Sequence, residues 1–60
     1  MSDSLSILVV EDDDALRDAL QITLEAAGHR VTATDGGPAA LVALGRDRFS
    51  MVVTDLRMDP

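Results

Sequence analysis

Residues 5 to 14 read Leu5-Ser6-Ile7-Leu8-Val9-Val10-Glu11-Asp12-Asp13-Asp14. Ile7 to Val10 is apolar without alternation and rich in β-branched residues, so both faces of this strand should be covered. That marks a central strand of a parallel sheet rather than one side of an antiparallel meander. Four acids in a row end it. From Ala15 the period changes: Leu16, Ala19, Leu20, Thr23, Leu24 and Ala27 repeat at helical spacing, with only Thr23 polar. Arg17, Asp18, Gln21 and Glu25 fall elsewhere on the wheel. Asp13 or Asp14 can cap the start, where negative charge suits the helix dipole. Gly28 stands where a left-handed residue closes a helix. The spacing predicts a helix over 14–27.

The pattern continues outward. Arg30-Val31-Thr32-Ala33-Thr34 reads as a second, less apolar strand, and Asp35-Gly36-Gly37 as a turn. Pro38 suits the first position of a second helix, which carries Ala39 to Leu44 and should end near Gly45. Phe49 to Thr54 is a third strand, continuously apolar from Met51 to Val53, and it too ends on an acid, Asp55. The expected order is β-α-β-α-β in a single α/β domain spanning residues 1–60. Connections of this length imply parallel strands and right-handed crossovers. If the chain reverses direction across the sheet after the second strand, the strand order becomes 2-1-3.

The composition narrows the function classes. The chain has 60 residues, no cysteine, and five basic against eleven acidic residues, a formal charge of −6. Disulfides, thiolate metal sites and a cysteine nucleophile are excluded. The charge argues against nucleic-acid binding and against a polybasic membrane anchor. No apolar run approaches the ~20 residues of a membrane span, and the N-terminus lacks the basic start of a secretory signal. A cytoplasmic protein is expected.

Parallel strands end on the same side of their sheet. The first strand delivers Glu11 and Asp12 to that edge, and the third delivers Asp55. In the order 2-1-3 the two strands are neighbours across a topological switch point, where open α/β sheets place their ligands. Two unit charges ~5 Å apart repel by roughly 3 kcal/mol at an effective dielectric of 20. Either one acid takes a proton or a hard cation sits between them. Mg²⁺ fits best, with its oxygen ligands and retained waters, and no soft ligand is present to favour zinc or copper. Taken singly, an acid run at a helix start is a cap and an Asp after a strand is a turn residue. Their joint placement at one edge is what points to a cation. Other motifs fail: there is no Gly-x-Gly-x-x-Gly, no phosphate loop, and no calcium loop, since Leu16 and Arg17 stand where that pattern needs a ligand and a glycine. His29 reads as a solvated residue at a strand start, and Met51 and Met58 as packing residues.

Val9-Val10-Glu11-Asp12-Asp13-Asp14-Ala15-Leu16-Arg17, with Val53-Thr54-Asp55-Leu56-Arg57-Met58 further on, resembles the receiver domain of bacterial two-component response regulators. The resemblance spans essentially the whole chain and implies the N-terminal half of a flavodoxin-like, doubly wound parallel sheet. It implies that Asp55 accepts a phosphoryl group from the phosphohistidine of a histidine kinase. It also implies that Asp12 ligates Mg²⁺, that Glu11 meets the metal through water, and that Arg57 lends its backbone carbonyl. Receivers of this kind act by regulated phosphorylation rather than as turnover enzymes. The Leu-Arg-Met stretch is frequent in receivers attached to transcription activators.

Two features depart from the family pattern. Asp59 stands where the family commonly has Pro, and Pro60 follows it. A receiver is also about twice this long, with a hydroxyl residue after a fourth strand and a Lys after a fifth; this chain has no Lys. Its third strand would be an unprotected edge, so a homodimer that completes one sheet through that strand is expected. The alternative function is a self-associating interaction module without phosphotransfer. A haloacid-dehalogenase-type phosphatase, which also places an Asp nucleophile after an apolar strand, wants a second Asp at the position of Arg57.

Overall fold

The structure is a computed structural model that describes residues 4–54. Three strands, β1 (Ser6–Val10), β2 (Arg30–Thr34) and β3 (Met51–Thr54), alternate with two helices, α1 (Asp14–Ala26) and α2 (Gly37–Arg46). The sheet is parallel and its order is β2-β1-β3, as the pattern predicts. β1 runs through the centre, and Ile7, Leu8 and Val9 are fully buried. Ile7 pairs with Val31 and Met51, Leu8 with Thr32 and Val52, Val9 with Ala33 and Val53, and Val10 with Thr34 and Thr54. Each helix packs on β1 and β2 and neither touches the other. Right-handed crossovers running in opposite directions from β2 put them on opposite faces.

The helix ends follow local chemistry. Asp13 is the N-cap of α1, its Oδ1 accepting from the Leu16 amide at 3.0 Å. At the other end the Gly28 amide donates to Glu25 O and the His29 amide to Leu24 O, with Gly28 at φ 95°. These are the paired bonds of a Schellman closure, which needs a left-handed residue at that point. α2 starts one residue before Pro38, at Gly37, and runs through Gly45 to Arg46 instead of stopping at the glycine. Gly45 has no positive φ, and the helix ends where Asp47 turns extended. β3 is shorter than the expected strand, starting at Met51 rather than at Phe49. Ser50 still donates to Ser6 O, but β1 offers Phe49 no partner further upstream.

The face of α1 is turned from the one the apolar spacing marks. Arg17, Leu20, Gln21 and Leu24 are half-buried, whereas Leu16, Ala19, Thr23 and Ala27 are exposed. Arg17 joins the inner face because its aliphatic stem can pack while its head reaches polar partners. His29 is also not simply solvated. It is half-buried, and its Nδ1 accepts the Leu5 amide at 3.1 Å, fixing the start of β1. Met51 is 45% exposed, so it is an edge residue rather than a core one.

Candidate functional site: the acidic edge of the sheet

The C-terminal ends of the strands are level with one another. Val10 is flanked by Thr34 on one side and Thr54 on the other. The sequence puts an acid directly after each of these residues: Glu11, Asp35 and Asp55. Asp35 is exposed, and its place in the series is a feature the sequence reading overlooked. Asp55 and Arg57, expected at this site, lie outside the described residues, as does Met58. Among the described residues no three acidic or histidine side chains gather closely enough to hold a metal.

Glu11 and Asp12 are brought together but put to different uses. Glu11 is 3% exposed. Its amide donates to Thr34 O at 3.0 Å, and its Oε2 accepts the Asp13 amide at 3.1 Å. A buried carboxylate needs such donors, because an unpaired buried charge is strongly penalised. Asp12 is exposed, facing solvent where a hydrated cation can approach. The donor set is all oxygen, with no thiol and no imidazole, which fits a small hard cation.

Two further residues shape this edge. Thr34 is buried, and its hydroxyl donates to Val9 O at 2.8 Å, so β1 and β2 are laced together on both sides of Val10. Arg17 reaches back from α1. Its Nη1 donates to the Glu11 carbonyl at 3.0 Å, and its Nη2 pairs with Asp14 Oδ1. The hydrogen bond to Asp14, with the charges of Asp14, Asp18 and Asp35 adding to it, raises the guanidinium pKa above its ordinary value. The i, i+3 spacing of Asp14 and Arg17 was a readable signal for that pair. The reach to Glu11 depends on how the turn folds.

The response regulator receiver domain family matches residues 7–60. This chain belongs to that family. The receiver is 50% identical over 52 residues to the response regulator protein FleR of Pseudomonas aeruginosa, a match covering 87% of this chain and 11% of FleR. It is 46% identical over 52 residues to the transcriptional regulatory protein FixJ of Bradyrhizobium diazoefficiens, covering 87% of this chain and 25% of FixJ. To the transcriptional regulatory protein AfsQ1 of Streptomyces coelicolor it is 40% identical over 53 residues, covering 88% of this chain and 24% of AfsQ1. The receiver thus spans between 11% and 25% of the length of these curated relatives. Its place is in two-component phosphorelay signalling. No helix among the described residues is long and apolar enough to cross a membrane.

Proposed function

We propose that this receiver accepts a phosphoryl group on Asp55 from the phosphohistidine of a sensor histidine kinase, with Mg²⁺ as cofactor. The observation that carries the reading is the register at the sheet edge. Glu11 and Asp12 follow Val10, and Asp55 is next in sequence after Thr54, the residue paired with Val10. A carboxylate oxygen of Asp55 forms the new bond to phosphorus as the N–P bond breaks, and the electron pair returns to the imidazole. Glu11, Asp12, Asp55 and the backbone carbonyl of Arg57 would hold the cation. When bound, Mg²⁺ supplies the positive charge that lets an anionic nucleophile meet an anionic phosphoryl group. Burial of Glu11 and its bond from the Asp13 amide keep that carboxylate in one place.

On this reading the chain is a regulated acceptor rather than a turnover enzyme, and it works in the cytoplasm. At −6 it contacts no nucleic acid itself. FixJ and AfsQ1 are named as transcriptional regulatory proteins, which supports transcription as the output. The domain assignment is the N-terminal part of one receiver over residues 1–60. A second reading, a self-associating module without phosphotransfer, is favoured by β3, which lies at the edge of the described sheet with Met51 and Val52 45% and 47% exposed.

Intact-protein mass decides between the two. Incubation with Mg²⁺ and a small acyl-phosphate donor should add one phosphoryl group, and Asp55→Asn should abolish the gain while circular dichroism stays unchanged. Asp12→Asn should raise the Mg²⁺ concentration required by about tenfold or more, as loss of one anionic ligand implies. No gain from a folded protein sinks the acceptor reading and leaves the module.

A further inference from the structure

We propose that Arg17 is the positioning residue of the acidic turn, holding the Glu11–Asp12 peptide in the orientation that presents the Asp12 carboxylate to solvent. The metal arm of this inference rests on the acceptor reading above; the rest does not. The geometry is a closed set of bonds. Arg17 Nη1 donates to the Glu11 carbonyl, which belongs to the same peptide plane as the Asp12 amide. The Glu11 side chain accepts from the Asp13 amide. Asp13 in turn caps α1 through the Leu16 amide, and its carbonyl accepts from the Arg17 amide at 2.8 Å. Arg17 therefore grips the turn by its backbone and by its guanidinium, across six residues of sequence.

The guanidinium is anchored at its other end by Asp14, and its side chain is only 20% exposed. A planar fork can bridge a carbonyl and a carboxylate at once, which a lysine ammonium on a flexible stem does poorly. Asp12 itself lies outside this set. It is exposed, and among the described residues its carboxylate takes part in no hydrogen bond. The turn is thus fixed on either side of Asp12 while the carboxylate is left available.

Positioning and simple charge make opposite predictions. A cation this close to a cation site opposes Mg²⁺ by Coulomb's law, so its removal should tighten binding if charge alone matters. If Arg17 positions the turn, its removal should weaken binding. The experiment is a Mg²⁺ titration of the intact protein, read from the amide resonances of Asp12 and Asp13, for wild type, Arg17→Ala and Arg17→Lys. Both variants should weaken the apparent Kd by roughly tenfold, the usual effect of losing a group that orients a metal ligand. In the metal-free protein both should speed hydrogen exchange at the Asp13 amide by roughly tenfold, with Val9 and Glu25 unchanged.

Unchanged or tighter Mg²⁺ binding in Arg17→Ala, or full activity of Arg17→Lys in both readouts, overturns the proposal. Should Arg17→Ala fail to fold, Arg17→Lys, which keeps the charge, decides alone. If the wild-type protein binds no Mg²⁺ the acceptor reading fails, and the metal-free exchange at Asp13 still decides the role of Arg17.

Discussion

Glu11 is a buried side chain just past the end of β1, and Thr34 holds its backbone there. The Thr34 carbonyl accepts from the Glu11 amide and the Thr34 hydroxyl donates to the Val9 carbonyl, so one residue of β2 holds the C-terminal end of β1 on both sides of Val10. Thr34→Val keeps the branched shape and removes only the hydroxyl. It should destabilise the protein by about 1 kcal/mol, the ordinary worth of one such bond, read as a lower urea midpoint at unchanged m. A shift within experimental error would mean that the backbone ladder alone sets this edge. The residues of the edge were legible to different degrees. Glu11 and Asp12 stand out because an apolar strand stops on them. Thr34 reads as one more strand residue in RVTAT, and its importance comes from a partner 25 residues earlier in the chain. Arg17 reads as a solvent-face residue, because a helical wheel does not show that the chain just before the helix curls back within its reach.

The helices and strands were easier to read than their ends, and two glycines show why. Gly28 and Gly45 both follow an apolar helical stretch, and each reads as a stop. Gly28 closes α1 at φ 95°, where a side chain costs about 1–2 kcal/mol. Gly45 lies inside α2 with ordinary helical backbone, and a Cβ there would meet nothing within 4 Å. The same substitution should therefore have opposite signs. Gly28→Ala should lower stability by about 1 kcal/mol or more, and Gly45→Ala should raise it by about 0.4–1 kcal/mol through the unfolded state. Thermal melts of the two variants check this, and a stabilised Gly28→Ala would contradict the Schellman closure. The central place of β1 was legible in its unbroken apolar run from Ile7 to Val10, although β3, apolar from Met51 to Val53, sits at the edge of the described sheet. The face of α1 was not, because its exposed stripe of Leu16, Ala19 and Thr23 is more apolar than the half-buried stripe, which includes Arg17 and Gln21. On the side that packs, Arg17 reaches the Glu11 carbonyl.

Among the described residues taken together, burial is concentrated in one strand and the periphery is left apolar. Ile7, Leu8 and Val9 are enclosed, while Leu41, Val42 and Leu44 on α2 and Met51 and Val52 on β3 remain exposed. Among the described residues β3 pairs with β1 alone, so it forms an edge of the described sheet and carries exposed apolar side chains. Such an edge is a template for another strand, and no Lys or Pro stands within β3 to blunt it. A polypeptide of these sixty residues should therefore self-associate at tens of micromolar through β3, which light scattering would read as a dimer or a larger species. Val52→Lys puts a charge in the middle of that edge and should weaken the association by roughly tenfold or more. Val52 pairs with Leu8, two residues short of the Val10–Thr54 pair where the acids begin, so the substitution acts on the strand edge and not on Glu11 or Asp12. A monomeric mass for the unsubstituted polypeptide would refute the self-association, whereas association that Val52→Lys leaves untouched would move the contact from β3 to the exposed leucines of α2.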